Sequence, residues 1–241
     1  MPFPPHRSAM SDSWEGDLED LGTLLHDLRT PLAAILGLAL TLEREDVDLK
    51  PDEARDLVSR ISDNARRLDR MVGDLLDLMR IAHGAMELTI VPSDIAELAA
   101  RVVEETDVIE GRAVIVQGKS VTADVDPAKV ERIVENLLSN SVRHTPPEGR
   151  IWLVVQEQDG GALIAVDDEG SVVPPAFREA IFEPFGRGRD WGEFAPGSGI
   201  DLALAAGLAE LHGGRAWVED RDGGGASFRV WLPEERSVGD R

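Results

Sequence analysis

The sequence contains no cysteine, which excludes disulfide staples and thiolate metal sites and accords with a cytoplasmic location. Positive charge is also scarce: 25 lysines and arginines stand against 46 aspartates and glutamates, for a formal net charge of −21. Nucleic acids and anionic membrane surfaces are bound through basic footprints, so neither is an expected partner. Long apolar runs are missing. The longest, Pro31 to Leu42, falls short of the roughly 20 residues of a bilayer-spanning helix. Met1 to Asp12 carries no apolar core of a signal peptide, and no membrane segment is expected. Internal repeats are absent, and so are low-complexity tracts outside the termini. What is there is a chain of 241 residues, 42% hydrophobic and 29% charged, long enough for two modest domains.

After a disordered lead over residues 1 to 14, the first helix is expected near Glu15 to Asp17, with acidic residues in its first turn, and is expected to run to about Arg44. Apolar residues recur at Leu21, Leu25, Leu28, Leu32, Ile35, Ala39 and Leu42, steps of four and three that keep one seam toward a partner helix. His26 lies one residue past a seam position, about 100° around the helix, where solvent can reach its imidazole. Pro31 has no N–H for the carbonyl of Asp27 and should kink the helix beside the histidine. A polar turn ending at Pro51 opens a second helix, whose seam reads Leu57, Ile61, Ala65, Leu68, Val72, Leu75 and Met79, and Gly84 closes it after His83. His83 reads as a helix-terminal residue bonded to the last carbonyls. One hairpin over 15–84 cannot cover both stripes, so two copies should pair into a four-helix bundle.

The string His26-Asp27-Leu28-Arg29-Thr30-Pro31-Leu32 resembles the H-box of two-component sensor histidine kinases. The resemblance implies a catalytic group of His26, Asp27, Arg29 and Thr30. His26 would accept the γ-phosphoryl group of ATP, Asp27 would orient and deprotonate the imidazole, and Thr30 would position water for hydrolysis of the partner's phosphoryl-aspartate. The spacing agrees: Thr30 lies one turn from His26 on the same face. A side chain with an unperturbed pKa near neutrality keeps a nitrogen free to attack.

Beyond Gly84 the pattern changes to short strands and helices over 85–233, with a tail over 234–241. Strands are expected at Met86 to Val91, Ala113 to Val116, Val121 to Val125, Arg150 to Gln156, Ala162 to Asp168, Arg215 to Glu219 and Ala226 to Leu232. Helices are expected after the caps Ser93-Asp94 and Asp126-Pro127, and from Gly199 to His212. Asp159-Gly160-Gly161 marks a hairpin. Helices on one face of a mixed sheet make an α/β sandwich, so the expected class is a helical hairpin followed by such a domain.

This region resembles the ATP-binding domain shared by the histidine kinases and the gyrase-type ATPases. Glu131 through Pro146 is similar to the N-box, with Asn136 and Asn140 on one helical face. The resemblance makes Asn140 the main Mg²⁺ ligand, with Asn136 beside it and Arg143 or His144 near the phosphates or ribose; a neutral carbonyl oxygen suits this hard ion. Val166 through Pro174 looks like the G1 box, with Asp168 accepting from the adenine amino group and Gly170 following it. Glu183-Pro184-Phe185 resembles the F-box at the start of a glycine-rich lid over 186–196, and Gly197-Ser198-Gly199 the G2 box, whose N–H groups face the phosphates. Two positions depart from the pattern. Val172 and Asp201 stand where glycines are usual. The valine would resist unusual backbone angles and narrow the cleft, and the aspartate would repel the triphosphate.

The resemblance covers 15 to 233 and implies a homodimeric protein-histidine kinase that uses ATP and Mg²⁺ and passes its phosphoryl group to an aspartate of a response-regulator receiver domain. Such a chain is a stand-alone soluble kinase or the cytoplasmic portion of a larger one. The alternative is a phosphotransfer or scaffold protein with a decayed nucleotide site, which the two departures favour. A nucleotide-regulated module of the anti-sigma-factor type would lack the histidine hairpin.

Overall fold

A computed structural model describes residues 18–44, 46, 49–106, 109, 111–184 and 199–235. The expected lead, Phe185, the lid, Gly197 and the end of the tail lie outside them. The chain divides into two compact units, Met1–His83 and Gly84–Arg241.

The first unit is a hairpin of α1 (Leu18–Leu42) and α2 (Pro51–Ala82). Pro51 sits in the first turn of α2, where its missing N–H costs nothing, and the Glu53 carboxylate accepts from the Lys50 N–H at 2.9 Å, a capping contact that complements the helix dipole. At the other end His83 Nδ1–H donates to the Met79 carbonyl at 2.8 Å and Gly84 turns the chain away with φ of +62°.

The packed seam differs from the expected one. Leu28, Ile35, Ala39 and Leu42 of α1 are half-buried, as are Leu57, Ile61, Leu68 and Leu75 of α2, and Leu78 is fully buried. Ala65, Val72 and Met79 stay exposed instead. With Leu25, Leu32, Leu36 and Leu40 on α1 and Val58 and Leu76 on α2, they leave further apolar surface uncovered. The physical reason is width: each helix is apolar over an arc broader than one neighbour can cover. Leu25–Leu42 also corrects the expectation about apolar runs, since by length and composition it could cross a membrane. A bundle helix with a wide apolar arc passes the same test, so this is weak evidence for a span.

The second unit runs β1 (Val91–Asp94), α3 (Ile95–Glu105), β2 (Val114–Gly118), β3 (Thr122–Val125), α4 (Pro127–His144), β4 (Ile151–Gln158), β5 (Gly161–Asp168), α5 (Ile200–Leu211), β6 (Arg215–Asp220) and β7 (Ala226–Pro233). The main sheet has the order β2-β4-β5-β7-β6, and β1 pairs with β3 separately. β2 runs parallel to β4 and the other neighbours are antiparallel. Along β4, Ile151, Leu153 and Val155 are buried while Trp152 and Val154 are half-exposed. One face therefore carries the core, with Ile133 and Leu137 of α4 and Leu204 and Leu208 of α5, and the expected α/β sandwich forms.

Local signals position the helices. Asp94 caps α3, accepting from the N–H groups of Ala96 and Glu97, and the Ser120 hydroxyl bonded to it holds its carboxyl below the usual range. Asp126 caps α4 by accepting from the Lys129 N–H. The expected strand at Met86 to Val91 does not form; only Val91 joins β1. Met86, Leu88 and Ile90 are half-buried and alternate with exposed residues, while Thr89 N–H donates to the Asp126 carboxylate at 2.8 Å. Period two marks an extended segment packed on one side, and a ladder also needs a partner strand. Two 3₁₀ turns, Pro175–Phe177 and Ala180–Phe182, add to the expected elements.

Candidate functional site

His26 is exposed on α1, Arg29 and Thr30 are exposed, and Asp27 is half-buried. Thr30 Oγ1 donates to the His26 carbonyl at 3.1 Å, which ties the hydroxyl to the turn that carries the histidine. The other described histidines are placed differently. His212 is 1% exposed; its Nε2 accepts from the Asp126 N–H at 3.0 Å and its Nδ1–H donates to the Leu208 carbonyl at 2.7 Å. Both ring nitrogens are engaged: Nδ1 anchors the ring to the last turn of α5 and Nε2 joins it to the start of α4. His83 is bonded to Met79, and His144 is half-buried at the end of α4.

In the second unit α4, the end of β5 and the start of α5 converge. Asn136 and Asn140 are 4% and 1% exposed, so the N-box amides do not lie on a solvated face. Asn136 Nδ2 is enclosed and bonds nothing within the protein among the described residues. Buried amides are ordinarily paired, and an orphan of this kind suits a ligand-binding position. Rotating the amide about its last bond would offer its carbonyl oxygen to a metal instead.

Asp168, 1% exposed, closes β5. Its Oδ2 accepts from the Ser141 hydroxyl at 2.9 Å and its Oδ1 from the Gly170 N–H at 2.8 Å. Burial pushes the carboxyl above its usual range, against the pull of Gly170, Ser141 and Ala226. Each oxygen keeps acceptor capacity, so a buried, oriented carboxylate can take a further N–H such as the adenine amino group. Gly170 must be glycine here, because a Cβ would lie 2.5 Å from the His144 carbonyl oxygen and 2.8 Å from Asp168 Oδ1. Behind it, Glu169 accepts from the Arg150 N–H at 2.9 Å and from its guanidinium at 2.6 Å, and these bonds hold its carboxyl down at about 2. Arg221 Nε donates to the Asp168 carbonyl at 3.2 Å and stacks on Trp152 at 4.5 Å.

Gly199 caps α5 in the left-handed region, with φ of +70°, and has no side chain of its own to accept from the first-turn N–H groups. The two departures from the glycine pattern resolve differently. Among the described residues Asp159 is the one non-glycine with positive φ, so Val172 adopts ordinary backbone angles and its side chain is 45% exposed; the expected strain is absent. Asp201 is not a bare charge. Arg143 Nη2 donates to its Oδ2 at 2.8 Å, and Ser139 Oγ to the same oxygen at 3.3 Å. Arg143, expected as an alternative to His144 near the phosphates or ribose, is thus bonded to a carboxylate of its own chain. Phe185 and Gly197 lie outside the described residues.

Ser141 was missed by sequence reasoning. The available signal was its place one turn after Leu137 on the buried side of α4, where a hydroxyl needs a partner. Arg150 and Arg221 were also missed, because their partners lie across the fold.

Comparison with known proteins bears on both units. Residues 21–84 match the family described as His Kinase A (phospho-acceptor) domain, and residues 125–236 match Histidine kinase-, DNA gyrase B-, and HSP90-like ATPase. The circadian input-output histidine kinase CikA of Synechococcus elongatus is 32% identical over 91% of this chain, which spans 30% of that relative's length. The crystal structure of the ATP binding domain of PrrB from Mycobacterium tuberculosis is 31% identical, with a TM-score of 0.50, over 60% of this chain and 97% of that one. Histidine kinase ThkA, solved in complex with the response regulator protein TrrA, shares the fold at 17% identity and a TM-score of 0.67, over 96% of this chain and 66% of that one.

Proposed function

The chain belongs to the two-component histidine kinases, joining their phospho-acceptor and ATPase domains, and from that premise we propose that it phosphorylates itself on His26 from Mg-ATP, transfers the phosphoryl group to an aspartate of a response regulator, and acts as a cytoplasmic homodimer. The observation that carries this reading is the exposure of His26 inside the H-box while His83, His144 and His212 are bonded or enclosed.

Bound ATP supplies the transferable phosphoryl group, and Mg²⁺ offsets its charge. Asn140 and Asn136 have the amide oxygens and the enclosure that suit the ion. Asp168 selects adenine through its remaining acceptor capacity. His26 offers a neutral ring nitrogen to phosphorus as the bond to the ADP oxygen breaks, and Asp27 holds the ring and takes its proton. Thr30 is on hand for the water that hydrolyses a partner's phosphoryl-aspartate. The response-regulator partner is supported by the ThkA complex, and the dimer by the uncovered apolar surface of α1 and α2.

The test is incubation with ATP labelled at the γ-phosphate. Acid-labile, base-stable label should appear on wild type and vanish in His26→Gln; Asp27→Asn should slow labelling roughly 10²-fold, the scale for losing a general base. Label that survives His26→Gln would sink the assignment. The alternative, a phosphotransfer protein with a weakened nucleotide site, is favoured by one observation: the bond between Arg143 and Asp201.

A further inference from the structure

The contact between Arg143 and Asp201 joins the last turn of α4 to the first turn of α5. Both side chains are largely enclosed, 25% and 14% exposed, and Ser139 supplies a second donor to the same carboxylate oxygen. Three sources of positive potential therefore meet there: a guanidinium, a hydroxyl proton, and the N-terminal end of α5, whose cap residue Gly199 supplies no side-chain acceptor. Such a place attracts an anion. Asp201 is the anion present. A carboxylate and a phosphate make the same directional contacts with a guanidinium, so Asp201 has the shape and charge of an internal substitute for a phosphate.

Resting on the nucleotide reading above, we propose that Asp201 competes with the nucleotide's phosphates for Arg143, so that a nucleotide engages this arginine only by displacing the chain's own carboxylate. Asp201 then determines specificity through the phosphate chain and not through the base. Adenosine reaches Asp168 without disturbing the clasp. ATP must open it, or bind without Arg143. The same geometry accounts for how an aspartate is tolerated where a glycine is usual: its charge is matched by the arginine while the site is empty.

Simple repulsion between Asp201 and the phosphates also predicts that removing the charge tightens ATP, and a double-mutant cycle separates the two explanations. Wild type, Asp201→Asn, Arg143→Gln and the double variant are titrated with Mg-ATP by calorimetry and with adenosine by ligand-observed NMR. Competition predicts that Asp201→Asn tightens ATP about tenfold, a change of about 1.4 kcal/mol. Arg143→Gln should cost wild type a few-fold at most, because that arginine is already occupied, and Asp201→Asn should give less than a twofold gain in the Arg143→Gln background. Adenosine should bind all four proteins equally, which also reports that each is folded. A tenfold gain that persists without Arg143 means repulsion and overturns the proposal. A loss of ATP affinity in Asp201→Asn means that Asp201 positions Arg143 for the ligand and overturns it too. Absence of both ATP and adenosine binding from all four proteins would instead refute the nucleotide reading itself, and the competition with it.

Discussion

Replacing Leu36 with glutamate should separate the proposed dimer without unfolding the hairpin. Leu36 is 59% exposed on α1, and Leu32 and Leu40 nearby are 55% and 52% exposed. Full burial of a leucine side chain is worth about 1.5–3 kcal/mol. Roughly half of that remains available at these positions, so covering each contributes about 1 kcal/mol. With about eight such side chains per protomer, two protomers gain on the order of 16 kcal/mol, against about 4–15 kcal/mol for lost freedom on association. The balance permits a stable dimer but leaves it sensitive to single substitutions. Leu36→Ala removes about 1 kcal/mol from each protomer, roughly thirtyfold in Kd. Leu36→Glu also places two carboxylates in the seam, and their desolvation costs several kcal/mol more, enough to leave monomer at micromolar concentration. Sedimentation velocity reads the oligomeric state, and far-UV circular dichroism shows whether the helices persist. A wild-type monomer at micromolar concentration, or a Leu36→Glu variant that still sediments as a dimer, would refute the reasoning.

Asp168→Asn should lose adenine recognition and yet leave the empty protein as stable as wild type or more so at neutral pH. The folded carboxyl is raised by burial, so its contribution to stability is present below the unfolded pKa and lost as pH rises through the folded one; calorimetric melting against pH would show the wild-type loss absent from the variant. The same rise means that adenosine affinity should fall on acidification while the pH is still above the usual carboxylate range, and a pH-independent affinity would contradict the assigned acceptor. Gly170→Ala should cost about 1–3 kcal/mol through overpacking against the His144 carbonyl, measured by urea denaturation. Thr30→Ala should leave the rate of self-phosphorylation within about twofold and slow dephosphorylation of the response regulator roughly 10²-fold, the scale of losing the positioning of a reactant; parallel effects on both would remove the hydroxyl's separate role.

The helical phospho-acceptor unit and the element sequence of the ATPase domain were legible because their signals are local. Asp94, Asp126-Pro127 and Asp159-Gly160 act within a few residues of themselves, and each marks the cap or turn that it forms. The H-box and N-box are likewise contiguous strings, so the residues that carry the chemistry could be named before any contact was known. Tertiary structure decided the rest, wherever a residue's behaviour depends on a partner far away in the chain. The period of Met86 to Ile90 shows which side packs but not whether a strand lies alongside. The apolar pattern of α2 does not tell Leu57 and Leu68, which are half-buried, from Val72 and Met79, which stay uncovered, because one periodicity serves two neighbours. Asp201 illustrates the limit most plainly. Its sequence neighbours place it in the first turn of a helix where a glycine is usual, and from there it reads as a charge that would repel phosphate. Only the fold brings Arg143 to 2.8 Å from it and makes it half of an ion pair, because an electrostatic energy is set by distance in space.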